Sequence, residues 1–419
     1  MKIDFALTAS LITATVIGSF VLWSLVRGVA LPEWITELHK LALIRHPSTT
    51  RTTRLPRRPP LSTHPLWRNV TLKGAITFER YGRATNNVIQ TQNMLVAAKR
   101  MRRVLLIPSF WVTKTKDESR STLNWLQVLD LNYMNVYLHP EGKHCPFEDH
   151  AAKDPLLRSF LNGRSRKFPA MYRDPAYWHP DCLIRPVFHA GAFCRSCAER
   201  VGKKDGLSTN VTLPLSHRKR PKRFTVALSS FIDSEKAIHK EYPNEECLVV
   251  DGSTAFNLRH NYGVLLPYRQ WVKKAAMALL SHVKPNNDPA SPILVAHIRR
   301  ADWTKYEKGA KLDNHLGQID AALQGETGVR IRRLLIITDA NRSERNKIRR
   351  RFPKSTQGCS SRLVDQCRDA LSKLAVEQQA GAMSDFFIGT SGSTFTGRII
   401  SMRLALYNKP ASTFSEVLS

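Results

Sequence analysis

The chain has 419 residues, a length that excludes one ordinary domain and suits two, with enough apolar residues to bury hydrophobic cores. Its 64 Lys and Arg residues outnumber its 34 Asp and Glu residues, which gives a formal net charge of +30. Such a charge indicates an anionic partner, either nucleic acid, anionic lipid or a phosphorylated small molecule. The alternative is that much of the charge is simply solvated surface.

The N-terminus predicts a membrane anchor. After a tail of residues 1–4, Phe5–Val26 is an uncharged apolar run of 22 residues, long enough to cross a bilayer as a helix. A cleaved signal peptide is the alternative, because Gly28–Ala30 matches a small-x-small cleavage site. The flanking charges do not decide the orientation. We expect a single-pass protein whose catalytic body lies in the lumen of the Golgi or endoplasmic reticulum.

Glycosylation triplets and cysteines agree with a secretory-pathway chain. The three N-x-S/T triplets begin at Asn69, Asn210 and Asn341. Seven cysteines permit luminal disulfides with one thiol left over. Cys194 and Cys197 are separated by two residues and have Cys182 and His189 nearby in the sequence, which allows a zinc site, but disulfides are the favoured interpretation.

The rest of the chain divides into a stem and two domains. Residues 27–71 include a Pro-, Thr- and Arg-rich stretch without hydrophobic periodicity, which is typical of an extended stem. Residues 72–265 form a predicted N-terminal domain, with a helix over Asn86–Lys99 and a buried strand over Arg103–Pro108. Its middle part is irregular, and its basic stretch His217–Arg223 reads as a solvated loop rather than a nuclear or processing signal.

Residues 266–419 show a clear α/β rhythm. A helical pattern over Leu266–Val283 ends before a proline-rich break. The predicted strands are Ile293–Ile298, Leu334–Thr338 and Phe386–Gly389, and the predicted helices are Leu371–Ala380 and Thr394–Leu406. The pattern predicts two Rossmann-like domains with parallel sheets that face one another.

The segment from Val295 to Asp302 is the first that carries chemistry. A near-continuous apolar strand ends in His297, Arg299, Arg300 and Asp302. Ligands of parallel α/β sheets sit beyond the carboxyl ends of the strands. An arginine fork there can bind two phosphate oxygens and stabilise charge on a leaving diphosphate. A strand-end ion pair between arginine and aspartate is the alternative.

The second segment, Asp385–Arg398, runs from a strand into hydroxyl-bearing residues and then a helix. Free N–H groups at the helix start, with the hydroxyls of Ser393 and Thr394, can form an anion cradle, and Phe395 can lie against a base or ribose. An ordinary Ser/Thr N-cap is the alternative. A third segment, Gly82–Asn87, places Arg83, Asn86 and Asn87 at a turn-to-helix junction, where they can reach a diphosphate or, alternatively, only cap the helix.

These three segments, in this order, resemble the GDP-fucose-dependent fucosyltransferase superfamily, especially its protein O-fucosyltransferase branch. The resemblance includes the stretch from Gly82 to Pro108, the H-x-R-R-x-D strand from His297 to Asp302, the segment from Phe387 to Phe395, and the Thr338–Ala340 strand end that contains Asp339. No reliable match is visible from Tyr133 to Leu265.

The resemblance implies roles for particular residues. Arg299 would contact the β-phosphate and be essential for transfer. Ser393, Thr394 and Phe395 would bind the diphosphate and pack on the nucleotide, with Asn86 near the diphosphate or fucose and His297 near the nucleotide. Glu377, sixteen positions before Ser393, would recognise guanine in place of an aspartate. We add Asp385 to the expected donor-binding residues.

The family further implies a GT-B-type fold of two Rossmann-like domains, and an inverting transfer of fucose that needs no metal or other cofactor. The sequence agrees, since it has no D-x-D pair to hold a divalent cation. Glu79 is the candidate base for the acceptor hydroxyl, and a solvated glutamate is the alternative. The acceptor, a protein or a glycan, is not readable. Other possibilities are another nucleotide sugar, an inactive glycoprotein-binding relative, and a basic nucleic-acid-binding protein.

Overall fold

The computed structural model describes residues 75–78, 80–110, 125–173, 178–179, 181–186, 247–250, 252–257, 264–283, 291–300, 311–325 and 331–417. These ranges contain two parallel β-sheets and the helices that pack on them. The predicted tail, membrane anchor and stem lie outside the described residues. Within the ranges given, no helix has both the length and the apolar character that a bilayer crossing requires.

The first sheet has four strands in the order β3-β2-β1-β4, and all its neighbours are parallel. The strands are Ala75–Phe78 (β1), Val104–Ile107 (β2), Ile184–Pro186 (β3) and Cys247–Val250 (β4). Helix α1, Ala84–Met101, connects β1 to β2 and is buried along most of its length. Parallel neighbours need such crossover connections, since a tight turn cannot reverse the chain between them.

Short helices follow β2 and β4. They are Trp125–Val128 (α2), Leu131–Leu138 (α3), Phe147–Lys153 (α4), Pro155–Leu161 (α5) and Gly252–Asn257 (α6), with a 3₁₀ turn at Ala170–Arg173. Local sequence explains two of the starts. Asp130 caps α3 by accepting from the Tyr133 N–H, and Asp154 caps α5 ahead of Pro155 at the first helical position. Helix α7, Gln270–Ser281, then leads towards the second sheet.

The second sheet has five parallel strands in the order β7-β6-β5-β8-β9. Its strands are Ile293–Ile298 (β5), Arg333–Thr338 (β6), Thr356–Gln357 (β7), Phe386–Thr390 (β8) and Phe414–Val417 (β9). Its helices are Leu312–Gln324 (α8), Arg342–Arg351 (α9), Ala370–Met383 (α10) and Thr394–Tyr407 (α11), with 3₁₀ turns at Asp365–Arg368 and Ala411–Thr413. The strand order is that of a doubly wound fold, and it reverses between β5 and β8.

Strand β5 is buried on both faces, which explains its continuous apolar sequence. Ile293 and Val295 pack in a core cluster with residues of α10 and α11, whereas Leu294, Ala296 and Ile298 pack in a second cluster with residues of α8 and α9. Strand alternation therefore assigns the odd-numbered positions to the face that α10 and α11 cover.

Most predicted elements are confirmed, with small shifts at their ends. The strand β5 has the predicted limits, and β6, β8, α10 and α11 differ from the predictions by one to three residues. The α/β class with parallel sheets is therefore confirmed. The boundary between domains 72–265 and 266–419 stays a prediction.

A chain of buried polar contacts fixes helix α1 against the second half of the molecule. Gln378 on α10 donates from its side chain to the hydroxyl of Thr85, 3.1 Å away on α1. The Tyr268 hydroxyl contacts the side-chain oxygen of Gln378 and accepts from Nε of Arg398 on α11 at 3.1 Å. Each of these four side chains has a hydrogen-bond partner among the other three. This avoids the free-energy cost of an unpaired polar group in the protein interior.

Two disulfides lie within the described residues, joining Cys145 to Cys182 and Cys359 to Cys367. The second closes a short loop between β7 and α10, where a bridge of this kind restricts the unfolded chain. The luminal environment stays a prediction. Cys194 and Cys197 lie outside the described residues.

Candidate active site

The candidate site lies where the carboxyl ends of β5 and β8 separate. In doubly wound sheets a crevice forms at this switch point, because the connections from the two strands leave on opposite sides. The predicted segments from His297 and from Ser393 follow these two strands. The structure therefore brings together two segments that are nearly a hundred positions apart in the chain.

His297 contacts the start of α11 in two ways. Its imidazole stacks on the ring of Phe395, with 4.3 Å between the ring centroids. Its Nδ1 lies 2.9 Å from the hydroxyl oxygen of Thr396. Burial, assisted by the charge of Arg299, lowers the pKa of His297 to about 3, so the ring is neutral at physiological pH.

The Thr396 hydroxyl links His297 to β8. Its oxygen accepts from the Thr390 N–H at 3.1 Å, and its proton and second lone pair remain for Nδ1 of His297. The neutral imidazole has one N–H donor and one acceptor nitrogen, so His297 adds hydrogen-bonding capacity but no charge beside Arg299.

Arg299 and Arg300 are both held by acidic groups that follow β6. The guanidinium Nε of Arg299 lies 3.2 Å from a carboxylate oxygen of Asp339, and the other oxygen of Asp339 accepts from the Arg300 N–H at 2.6 Å. The Arg300 side chain donates from Nε to Glu344 at 2.8 Å. One aspartate therefore orients the guanidinium of Arg299 and fixes the backbone that follows it, and the predicted alternative of a strand-end ion pair is present too.

The N-terminus of α11 presents polar groups at the same edge. Ser393 occupies the N-cap position, but its side chain makes no capping hydrogen bond. The first N–H groups of a helix have no intrahelical partner, so the first turn after Ser393 can bind an anion. The hydroxyl of Thr394 instead donates to the side-chain oxygen of Asn86 at 2.9 Å.

Asn86 brings the first half of the chain to this edge. The adjoining turn depends on Gly82, whose φ of +68° favours glycine and whose position leaves no room for a side chain beside the Asn86 amide. Asn87 has a different place from the predicted one. Its buried side chain donates to the carbonyls of Tyr81 and Arg83, so it stabilises the turn.

Glu377 on α10 is buried and engaged with the disulfide-closed loop. Its Oε1 accepts from the Cys359 N–H at 2.8 Å, and the Lys373 ammonium lies 3.8 Å from the same oxygen. Burial raises the pKa of Glu377 to about 6, against the opposing influence of Lys373. The second carboxylate oxygen has no hydrogen-bond partner within the described part of the chain, which leaves it for another donor.

The remaining predicted residues fall elsewhere. Asp385 precedes β8, and its carboxylate accepts from the N–H of Ile293 at the beginning of β5. It therefore lies at the amino edge of the sheet, opposite the candidate site, and we leave it out of the proposed donor site. Glu79, Asp302, Asn69 and Asn210 lie outside the described residues.

Asn341, the third predicted glycosylation site, is exposed and begins helix α9. Its side-chain oxygen accepts from the Glu344 N–H at 3.0 Å, and Glu344 reciprocates as a capping box. The cap uses the oxygen and not the amide nitrogen to which a glycan would be attached. Glycosylation of Asn341 stays a prediction.

Three buried residues of the site were not among the predicted ones: Thr390, Thr396 and His315. They contact the functional segments from inside the protein. Thr390 and Thr396 stand within or beside the segment that carries the resemblance, so their positions were visible. Their partners were not, because each hydrogen bond joins residues of different elements.

The sequence matches a family model described as GDP-fucose protein O-fucosyltransferase over residues 76–406. A search among curated proteins gave no match. Among solved structures, POFUT1 in complex with GDP-fucose is 12% identical with a TM-score of 0.48, and the match covers 85% of this chain and 99% of that one. The fucosyltransferase NodZ from Bradyrhizobium is 13% identical with a TM-score of 0.35, over 78% of this chain and 93% of that one.

The family match extends over well more than half of the chain and includes all three segments of the candidate site. The chain therefore belongs to the GDP-fucose protein O-fucosyltransferase family. It is a glycosyltransferase, of the fucosyltransferase type.

Gly389 offers a test of the contact between β8 and α11. A methyl group there would lie 2.3 Å from Cγ2 and 2.8 Å from the hydroxyl oxygen of Thr396. We expect Gly389→Ala to displace Thr396 from His297 and to weaken GDP binding about tenfold, the size of one lost hydrogen bond. Isothermal titration with GDP measures the change.

Gly397→Ala is the matched control for this variant. Gly397 lies on α11 next to Thr396, and a methyl group there meets nothing within 4 Å. Its affinity for GDP should equal that of the wild type. Equal affinities in both variants would show that the Thr396 contact does not shape the site.

Proposed function

We propose that the protein is an inverting, metal-independent fucosyltransferase that moves fucose from GDP-fucose to a hydroxyl of a protein or glycan. The observation that supports this most directly is the contact of His297 with Phe395 and Thr396. It joins the arginine-bearing strand end to the helix start that can hold a diphosphate. Membership of the family indicates the class of donor substrate, because the description of the family names GDP-fucose.

The diphosphate would lie at the N-terminus of α11, with Arg299 beside it. The helix start contributes N–H groups and a favourable dipole, and the Ser393 hydroxyl is not used as a cap. Arg299 contributes a full positive charge, held in place by Asp339. Together these groups would stabilise the leaving GDP electrostatically, which is the task that a divalent cation has in other sugar transferases.

Transfer would take place as a single displacement. The acceptor oxygen forms a bond to the anomeric carbon of fucose while the bond from that carbon to the β-phosphate oxygen breaks. The electron pair of the broken bond remains on GDP, facing Arg299. The proton of the acceptor hydroxyl passes to a base, for which Glu79 stays our candidate.

The nucleoside end would be held by stacking and by a carboxylate. Phe395 is largely buried against His297 and would lend its remaining face to the nucleotide. Glu377 would pair with the N1–H and N2–H edge of guanine through the oxygen that Cys359 does not use. Asn86 would reach the diphosphate or fucose from the first half of the chain, across its contact with Thr394.

The remaining parts of the proposal concern the arrangement of the domains and the location of the protein in the cell. Two parallel sheets with doubly wound strand orders support a GT-B-type arrangement of two Rossmann-like domains. The two disulfides support a luminal catalytic body. We propose that residues 5–26 anchor this body in the Golgi or endoplasmic reticulum membrane. The family match favours an enzyme over the nucleic-acid-binding alternative.

Arg299→Ala tests the catalytic part of the proposal. Without the guanidinium, charge on the departing diphosphate loses its main stabiliser, and we expect transfer to fall at least about a hundredfold. The measurement is release of GDP from GDP-fucose, first by hydrolysis and then with panels of peptide and glycan acceptors, all in the presence of EDTA.

Arg345→Ala serves as the control, since Arg345 is an exposed arginine on α9. It should retain full turnover. Retained turnover in Arg299→Ala would contradict the mechanism, and loss of wild-type activity in EDTA would contradict metal independence. A wild-type chain that binds GDP-fucose without turnover would indicate the inactive glycoprotein-binding relative.

The raised pKa of Glu377 predicts a pH dependence of GDP affinity. The ionised carboxylate is the form that accepts from guanine, and it is lost as the pH falls through about 6. We expect GDP affinity to decrease below this pH, by up to about tenfold per unit. Because the folded-state pKa lies above the ordinary value of 4.5 for a glutamate, burial of the charge also costs stability above about pH 6, and this cost disappears as the carboxyl is protonated.

Glu377→Gln separates the carboxyl from the titration of GDP itself. The variant keeps the shape of the side chain and cannot ionise, so its affinity profile contains only the diphosphate. Calorimetric titrations from pH 5 to about pH 8 should therefore show a steeper loss at low pH for the wild type. Superimposable profiles would remove Glu377 from the guanine site.

A further inference from the structure

The ladder between β5 and β8 stops short of the residues that carry the site. Its last paired residues are Ala296 and Ile388. Beyond them the two strands diverge, and the backbone groups of His297 and Arg299 that face β8 need other partners. Buried backbone groups without partners are rare in proteins, because each loses its hydrogen bonds to water and gains none in return.

The hydroxyl of Thr390 supplies these partners. It donates to the carbonyl oxygen of His297 at 3.0 Å and accepts from the N–H of Arg299 at 3.0 Å. The side chain of Thr390 thus replaces the strand-to-strand hydrogen bonds just beyond the end of the β5–β8 pairing. The orientation of the Arg299 side chain at the end of β5 depends on these two hydrogen bonds.

His315 completes the set. It lies fully buried on α8, and its Nε2 is 2.9 Å from the same hydroxyl oxygen. A hydroxyl has one proton and two lone pairs. The proton of Thr390 is used on the His297 carbonyl, and one lone pair is used by the Arg299 N–H. The second lone pair can accept only if Nε2 of His315 carries a proton.

The opposite tautomer makes poorer use of the same groups. Its Nδ1 proton would be donated to the carbonyl oxygen of Lys311 at 3.3 Å, a longer contact than the 2.9 Å between Nε2 and the Thr390 hydroxyl oxygen. The Thr390 proton would then have to turn from the His297 carbonyl to Nε2, and this carbonyl would lose its Thr390 donor. Burial lowers the pKa of His315, so the ring carries one proton and not two.

We propose that His315 and Thr390 are positioning residues for Arg299. His315 donates to Thr390 and orients its hydroxyl, and the hydroxyl holds the end of β5 so that Arg299 and Asp339 meet at the diphosphate. Neither side chain touches the donor. Both are buried and act from inside the protein, where Nε2 of His315 on α8 contacts the Thr390 hydroxyl. This inference rests on the proposed function, because it assigns the pair to the same diphosphate site.

A double-mutant cycle in the full chain tests the proposal. Thr390→Val removes the hydroxyl and keeps the shape, and His315→Leu removes the donor. Each change should lower kcat for GDP-fucose turnover about tenfold, with KM changed less than about threefold, because Arg299 acts mainly on the departing charge. The kcat of the double variant should lie within about twofold of the kcat of the less active single variant, because both changes break the same chain of hydrogen bonds.

Conservative variants distinguish a loss of positioning from a loss of folding. Thr390→Ser retains the hydroxyl, and His315→Gln carries an N–H donor near the place of Nε2, so both should keep kcat within about threefold of the wild type. Ser384→Ala is the matched control. It removes a buried hydroxyl from the amino edge of the same sheet, where it contacts the carbonyls of Gly381 and Phe386. It should lower the unfolding midpoint and leave kcat unchanged.

A spectroscopic measurement tests the hydrogen-bond arrangement without reference to activity. Nitrogen-15 NMR of the histidines distinguishes a ring protonated at Nε2 from one protonated at Nδ1. We expect the Nε2–H form for His315 in the wild type and a shift of this signal in Thr390→Val. A signal of the Nδ1–H form would overturn the proposal, as would multiplicative losses of kcat in the double variant or unchanged kcat in both single variants.

Different results would contradict the proposed function and the positioning role. If the wild type neither binds GDP nor turns over GDP-fucose, the proposed function fails, and the tautomer of His315 still decides the arrangement around Thr390. If the wild type is active and Arg299→Ala is inactive while the variants of Thr390 and His315 behave like Ser384→Ala, the proposed function stands and the positioning role is wrong.

Discussion

Where two parallel strands diverge at a switch point, backbone N–H and C=O groups lose their hydrogen-bond partners on the neighbouring strand. The structure around the candidate site depends on which groups replace these partners. Here two threonines do this. The hydroxyl of Thr390 binds the end of β5, and the hydroxyl of Thr396 binds the N–H of Thr390 and the ring of His297. Because both hydroxyls are buried and hydrogen-bonded to residues of different elements, the strand ends and the start of α11 are fixed relative to one another.

This arrangement determines the electrostatics of the site. His297 is neutral because it is buried beside Arg299, so the positive charge near the helix start belongs to the arginines. Asp339 holds Arg299 and the backbone of Arg300 from the neighbouring strand end. The site thus combines a guanidinium with a helix N-terminus, two features that each favour phosphate. The chain's overall charge of +30 is a weaker argument, since it does not say where an anion binds.

The first half of the chain contributes contacts to the candidate site. Asn86 accepts from Thr394, and Thr85 is joined through Gln378 and Tyr268 to Arg398. These contacts attach α1 to the helices that frame the donor site. An acceptor bound by the first half would therefore be presented to a donor held by the second, as the two-domain proposal requires.

The sequence by itself determined the α/β class, the limits of β5, the segments near His297, Arg299 and Ser393, and the family. Apolar periodicity and local motifs encode these features, because they depend on neighbours in the chain. Only the tertiary structure showed which of the predicted side chains make structural contacts. Asn87 is buried in its own turn, Asp385 lies at the opposite edge of the sheet, and Glu377 holds the Cys359 loop. It alone also showed that His315 reaches Thr390 across 75 positions, because such contacts arise when strands and helices pack and leave no periodic trace in the sequence.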